Sequence, residues 1–357
     1  MHILLLDLGR EMRGGQRQVL YLARALQRDA GFTPLVACPA GAPLLAAAQA
    51  EGIATLPLPG RRVWNPLVLF TALRAMKLHG TAVIHTHDAR SAALGDVLCR
   101  MGGSHLRLVH SRRVSYPLGG SLRRGKYARA HAIACVSAEI ADTVAAAGIP
   151  REKLHVIHSG IDPTLYAPKR PRTDGRIVFG MVGALTPQKG HSVLLAAMAA
   201  LQGALGAGLP PWEVRVAGSG PLFDAILAEA KTLGVAERLA LLGWQDSKVI
   251  LPHCDVLVVP SVDGEGSSGT IKEGWVVGLP VVASDLASNL ELVRDGVNGL
   301  VFPSGNGMEL AACMARVVRD QVLHDRIVAG GTASVATVTD ARMAHAYKQL
   351  YVAVVEE

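Results

Sequence analysis

Apolar runs of strand length alternate with longer segments of helical period along nearly the whole chain, and this alternation restricts the fold more than any other feature. "HILLLDLG" at the start reads as a buried strand, and its exit "REMRGG" leads into "QRQVLYLARALQRDA". There Val19, Leu22, Ala23 and Leu26 recur at helical spacing. "TPLVACP", "TAVIHTH" and "AHAIACVS" repeat the strand signal. Strand, glycine turn, helix is the unit from which parallel α/β sheets are built. Between Ser159 and Arg176 the pattern breaks. Pro163, Pro168 and Pro171 disfavour a continuous helix there, so a linker is expected. The alternation then resumes with "IVFGMVG", "EVRVAGSG", "LALLGW", "CDVLVVPS" and "LPVVASD". The expectation is α/β throughout, with two doubly wound domains at 1–165 and 176–335. A last helix, 336–357, is expected to pack back on the first domain.

Length and composition agree with this. The 357 residues suffice for two cores, and 50% hydrophobic with 18% charged residues excludes a disordered or fibrous chain. No apolar run approaches the roughly 20 residues of a membrane-spanning helix, and "MHILLLDLG" is too short for a signal peptide, so a cytoplasmic protein is expected. Five scattered cysteines without a C-x-x-C pair read as free thiols. The net charge of +7 divides unevenly. Residues 1–170 carry 22 Lys and Arg against 10 Asp and Glu, and the remainder carries 14 against 19. The basic first half suits an anionic partner, such as a phospholipid surface or a phosphorylated acceptor; the plainer reading is a solvated basic surface. The segment Arg107–Arg129, with Arg112, Arg113, Arg123, Arg124, Lys126 and Arg129, is the candidate for that face. Aromatic residues form only 4% of the chain and are not interleaved with the basic ones, which argues against nucleic acid.

In open parallel sheets ligands bind beyond the carboxyl ends of the strands, and the polar motifs all fall there. In "GALTPQKGHSVLLAA", Gly183 closes a strand and Lys189 opens a helix, offering an ammonium and backbone N–H groups to a phosphate. No serine or threonine follows the lysine, so this is not a nucleotide triphosphatase loop. "AGSGP" brings Gly218 and Gly220 to a second turn, which serves equally well as a turn alone. "DGEGSSGTIKEG" sets Glu265 and Glu273 on either side of Gly266, Ser267, Ser268, Gly269 and Thr270. Thr270 to Glu273 has the spacing of a capping box, while the loop itself would leave N–H groups free for an anion, with carboxylates beside them for hydroxyls. In "HTHD" and "VHSRR", His85, His87, Asp88, His110, Arg112 and Arg113 stand at two further strand ends. His85 and His87 point the same way along a strand, but no third ligand has suitable spacing, so a metal is not expected.

In order, "RGGQRQVLYLARAL", "HTHD", "CVSAEIAD", "VIHSGID", "VGALTPQKG", "AGSGP", "LGWQ" and "EGSSGTIKE" resemble the retaining glycosyltransferases of family 4, over roughly Met1 to Arg319. The resemblance implies the GT-B architecture, two Rossmann-like domains facing a central cleft, the first for the acceptor and the second for a nucleotide sugar. It implies that Glu273 holds the ribose hydroxyls, Glu265 those of the transferred sugar, and Lys189 the diphosphate. Gly183, Gly218, Gly220 and the loop Gly266–Thr270 would complete the donor site, with Gly14 and Gly15 approaching the diphosphate from the first domain. His87, with Asp88, His110, Arg112 and Arg113, would line the acceptor side, and His87, Lys189 and Glu265 would carry the chemistry. A hexosyltransferase for cell-surface polysaccharide or lipopolysaccharide follows, with a UDP-sugar ahead of GDP-mannose. The acceptor would be a glycan or a lipid-linked chain, and the protein would sit in the cytoplasm or on the inner membrane face. No D-x-D occurs, so neither metal nor cofactor is expected beyond the co-substrate. Ala184 stands where the family usually has an arginine, leaving Arg10, Arg13 and Arg17 as stand-ins. A nicotinamide oxidoreductase is the alternative enzyme, but "LGREMRGG" lacks the G-x-G-x-x-G spacing. A non-catalytic binding protein of the same fold is the other alternative.

Overall fold

The computed structural model describes residues 1–171 and 174–356, and the side chains of residues 121–123 and 204 are likewise left undescribed. Arg172 and Thr173 of the expected linker, Glu357, and the side chain of Arg123 lie outside what is described. The chain divides into one unit of Met1–Gly160 with Thr339–Glu357, and a second of Ile161–Val338.

The first unit holds a parallel sheet of β1 (His2–Leu6), β2 (Thr33–Pro39), β3 (Thr55–Leu58), β4 (Thr81–Thr86), β5 (Arg107–Arg112), β6 (Ala132–Cys135) and β7 (Leu154–Val156), in the order β3-β2-β1-β4-β5-β6-β7. The unbroken apolar run of β1 has a direct cause. Ile3 and Leu5 pack with Val19, Leu22 and Leu26 of the helix Gly14–Gln27 on one face, and Leu4 and Leu6 pack with Ile84, Leu94 and Leu98 on the other. A strand covered by helices on both faces has no polar side to show in its sequence. The helix Asp340–Glu356 joins the first of these layers through Met343, Tyr347, Leu350, Tyr351 and Val354.

The second unit repeats the plan with β8 (Ile177–Val182), β9 (Trp212–Ala217), β10 (Leu239–Leu241), β11 (Val256–Val259), β12 (Val281–Ser284) and β13 (Leu300–Phe302), in the order β10-β9-β8-β11-β12-β13. Val256 and Val258 enter one layer with Met198 and Phe302, and Leu257 and Val259 enter the other with Ile271 and Trp275. The strands that the sequence patterning does not reveal are β3, β7 and β13, three or four residues long at sheet edges, with Pro57 inside β3. Edge strands are short and buried on fewer sides, so they carry little apolar signal.

In each sheet the strand order reverses at one place, between β1 and β4 and between β8 and β11. A crevice opens at such a switch point beyond the strand ends. All the cysteines are free thiols, and among the described residues no helix is long and apolar enough to cross a membrane.

Candidate functional site

In the second unit the loops leaving β8 and β11 meet. Gly190 sits between them at φ +70°, and a Cβ there would lie 1.8 Å from the carbonyl oxygen of Pro260. Only glycine permits that approach. Gly218, leaving β9, is equally constrained, since its Cβ would fall 1.8 Å from the oxygen of Gly183. The three exits are thereby drawn together. Lys189 donates to Glu265 Oε1 at 2.5 Å, and Ser261 Oγ donates to the same oxygen at 2.6 Å. Glu265 is 8% exposed, so this carboxylate keeps little contact with water and is fixed by an ammonium and a hydroxyl. Ser261, on the β11 exit, is a site residue that no motif in its own segment singles out.

The helix Gly269–Val277 begins at Ser268, with no side chain capping it. Thr270 and Glu273 therefore lie inside the helix rather than astride its end, and the capping-box alternative does not form. The Thr270 hydroxyl donates to the Val182 carbonyl at 3.4 Å, and Glu273 Oε1 accepts from the Tyr166 hydroxyl at 2.9 Å. Lys272, fully buried, donates to Ser267 Oγ at 2.7 Å and holds the loop in shape from beneath. The first N–H groups of this helix remain available to an anion, with Glu265 before the helix and Glu273 one turn into it. The helix His191–Gln202 behind Lys189 likewise starts without a side-chain cap. Gly220 is tightly packed, its Cβ position being 2.4 Å from the Leu185 oxygen, so in this turn the glycines satisfy packing by themselves. Ala184 is exposed, and its carbonyl accepts from His191 Nε2 at 3.1 Å.

In the first unit the switch point is tied by Asp88. This residue caps the helix Ala89–Gly102, accepting from the N–H groups of Arg90 and Ser91, while its second oxygen accepts from Leu8 N at 2.6 Å. Asp7, whose pKa is raised by burial and by neighbouring Asp88, accepts from Gly9 N and Gln16 Nε2. The turn so fixed leads to Gly14 and Gly15. Nothing lies within 4 Å of a Cβ on Gly14, and only the Arg113 side chain, at 3.8 Å, approaches one on Gly15. Neither packing nor backbone conformation demands glycine at these positions, in contrast to Gly190 and Gly218.

The five candidates for the acceptor side separate clearly. His110 is fully buried between the Thr86 hydroxyl at 2.7 Å and the Lys126 carbonyl at 3.2 Å, and burial brings its pKa down to about 4. Arg112 donates to the Tyr116 carbonyl and stacks on Tyr116 and Tyr127, with its Nε buried without a hydrogen-bond partner. Asp88 is occupied as a cap. His85, which adjoins His87, bonds Tyr351 at 2.5 Å and Ser111 at 2.8 Å, and Ser111 in turn meets Tyr347 at 3.0 Å. These are framework bonds. His87 differs. Its Nδ1 faces Arg113 Nη2 at 3.2 Å, and its Nε2 is buried without any hydrogen-bond partner. A guanidinium only donates, so Nδ1 accepts and Nε2 carries the proton. Burial, then the neighbouring His85 and Arg113, push the His87 pKa well below the usual histidine range. The site thus offers a neutral imidazole with one unsatisfied N–H donor.

Most cations of the Arg107–Arg129 segment have internal partners. Arg107 donates to the Val354 and Ser104 carbonyls, Lys126 to the Ala89 carbonyl, and Arg129 pairs with Asp96 at 2.7 Å. Among the described residues no group of three His, Cys, Asp or Glu is arranged to hold a metal ion.

Comparison with known proteins gives the family and the fold. Residues 12–165 match the family model described as Glycosyltransferase Family 4, and residues 176–320 match the one described as Glycosyl transferases group 1. A phosphatidyl-myo-inositol mannosyltransferase of Mycobacterium leprae is 30% identical over 152 residues, 42% of this chain but only 39% of that protein. The UDP-Gal:alpha-D-GlcNAc-diphosphoundecaprenol alpha-1,3-galactosyltransferase of Escherichia coli is 26% identical over 281 residues, 72% of this chain and 71% of its own length. Among solved structures, Anabaena HepE in complex with UDP and glucose superposes with a TM-score of 0.84 at 20% identity, covering 99% of this chain and 100% of the other. That superposition carries the fold, GT-B, with its two Rossmann-like sheets.

Proposed function

The chain belongs to the family 4, group 1 glycosyltransferases, and on that premise we propose that it moves a sugar from a nucleotide diphosphate sugar to a hydroxyl of a glycan or lipid-linked acceptor, with retention at the anomeric carbon. A UDP-sugar is the preferred donor, and a cell-surface polysaccharide or lipopolysaccharide the preferred product. Two relatives support these choices by what they handle, one in complex with UDP and glucose and one using UDP-Gal on a diphosphoundecaprenol-linked sugar.

The observation that carries the reading is Lys189 held on Glu265 beside the uncapped start of the helix Gly269–Val277. The barrier to sugar transfer is dominated by charge developing on the departing diphosphate. An ammonium has three N–H donors. With one on Glu265, two serve phosphate oxygens, and the helix N–H groups serve the rest. Glu265 also takes hydroxyls of the transferred sugar, and Glu273 takes the ribose hydroxyls. The bond from the anomeric carbon to the diphosphate oxygen breaks as the acceptor oxygen bonds from the same face. The acceptor proton passes to the departing phosphate oxygen. His87 is not the base in this scheme, since Nδ1 is occupied and Nε2 is protonated; it donates to an oxygen of the reacting sugar.

Lys189 and backbone dipoles take the place of a divalent ion in this scheme. A thermal-shift panel of UDP, GDP, ADP and their sugars should single out UDP and one UDP-sugar, because a ligand that binds only the folded state raises its melting temperature. Transfer from that donor should persist in EDTA. Protection by none of the panel would overturn the donor assignment, and activity abolished by EDTA and restored only by magnesium or manganese would overturn the metal-free scheme.

A further inference from the structure

A second basic feature of the first unit lies outside the Arg107–Arg129 segment. A cavity of about 560 Å³ opens beyond the ends of β1, β3 and β4, lined by Arg10, Gly60, Arg61, Arg62, Asn65 and Arg90. Four of its six lining residues are arginines and none is acidic. Among the described residues none of these guanidinium groups forms an ion pair, whereas Arg24, Arg129, Arg151 and Arg176 all pair with carboxylates. Concentrating four cations around one hollow without a counter-charge costs self-repulsion, which an anionic ligand would relieve. Two helices also begin here: Asn65 caps the helix Pro66–His79, and Arg90 lies in the first turn of Ala89–Gly102. An adjoining hollow of about 400 Å³ shares Arg10, Gly60 and Arg61, and Pro39, Leu58 and Pro59 give it apolar wall. Arg90 follows His87 by three residues, so the cavity neighbours the acceptor-side imidazole along the chain.

We infer that this cavity is a second anion site that takes a phosphate or diphosphate group of the acceptor, the apolar hollow beside it receiving what that group is attached to. The inference rests on the proposed transfer to a glycan or lipid-linked acceptor and adds that the acceptor is phosphorylated. Guanidinium forks suit phosphate oxygens in pairs, which ammonium groups do not.

Inorganic pyrophosphate is the probe, added with the donor site filled by saturating UDP, with binding followed by thermal shift and calorimetry on the full chain. Arg61→Gln with Arg62→Gln should weaken pyrophosphate binding about tenfold or more, and Arg90→Gln alone by a similar factor, as for loss of charged hydrogen bonds. Lys189→Gln should leave this binding largely intact. The same arginine variants should keep wild-type protection by UDP, which shows that they are folded and separates this site from the donor site. Failure of UDP to protect wild-type protein would refute the donor reading while leaving the pyrophosphate result to stand by itself. Pyrophosphate binding unchanged in both arginine variants would overturn the inference. Farnesyl diphosphate and glucose 6-phosphate distinguish the source. Tighter binding of the first marks a lipid diphosphate, and tighter binding of the second a phosphorylated glycan; binding of neither would overturn the acceptor role.

Discussion

A guanidinium cannot accept a hydrogen bond, so Arg113 at 3.2 Å compels His87 Nδ1 to accept and leaves the ring proton on Nε2. Burial lowers the His87 pKa well below its usual value. The sign follows: the neutral ring persists as pH falls through the ordinary histidine range, and no His87 ionisation intrudes near neutrality. We therefore expect kcat to show no His87-dependent inflection between about pH 6 and pH 8, while His87→Ala lowers kcat roughly a hundredfold through loss of a positioned donor. An inflection near pH 6.5 that disappears in His87→Gln would show the ring acting as a base. Glu273 belongs to a different class of interaction. Ribose hydroxyls are held in ground state and transition state alike, so Glu273→Ala should raise donor KM about tenfold or more and alter kcat less. Tyr166→Phe, which removes the hydroxyl that donates to Glu273 Oε1, should raise KM by a smaller factor. An unchanged donor KM in Glu273→Ala would remove the ribose role.

At the level of elements, the glycines of the two units have opposite causes. Gly190 is fixed by positive φ and by the Pro260 carbonyl, so Gly190→Ala forces the β8 and β11 exits apart. We expect it to destabilise the second unit by about 2 kcal/mol or more and to weaken UDP protection together with stability. Gly14 opens a helix with free space around it, so Gly14→Ala should not lower stability, and its effect should fall on donor KM alone. Urea unfolding and donor titration on the two variants check this contrast. Equal loss of stability in both would mean that Gly14 is a packing residue. The same elements explain how far the sequence was readable. The strands buried on both faces announced themselves as apolar runs, while β3, β7 and β13 did not, being short and at sheet edges. The glutamate pair of "EGSSGTIKE" was visible because its spacing is local. Ser261 was not, since nothing in its own segment says that its hydroxyl meets Glu265.

Across the whole molecule, the balance of charge and burial sets the response to acid. His85, His87 and His110 are all buried in the first unit and all have lowered pKa values, chiefly from burial, His110 reaching about 4. The unfolded chain binds their protons near the ordinary histidine value, and the folded chain only at lower pH, so stability falls as pH drops below about 6.5 and continues to fall toward about 4. Between about pH 7.5 and pH 5.5, His110 alone should cost about 1 kcal/mol, and His110→Gln should flatten that part of the dependence, as read by urea unfolding under circular dichroism. A first-unit transition insensitive to pH in this window would contradict neutral burial of these rings. By itself the sequence determined the doubly wound α/β plan, the family and the residues that stand at strand ends. These follow from near-neighbour patterns, which burial on both faces and turn chemistry write directly into the chain. Only the tertiary structure decided which of those residues have atoms to spare. His85, Asp88 and His110 are spent on partners up to 266 residues away, as in His85 with Tyr351, while His87 keeps Nε2 unmet and Arg112 and Arg113 each keep Nε unmet. It also gathers Arg10, Arg61, Arg62 and Arg90 around one cavity with no ion pair among the described residues. A hydrogen bond or ion pair across such separations leaves no periodicity to read, because its partners are neighbours only after the sheet has formed.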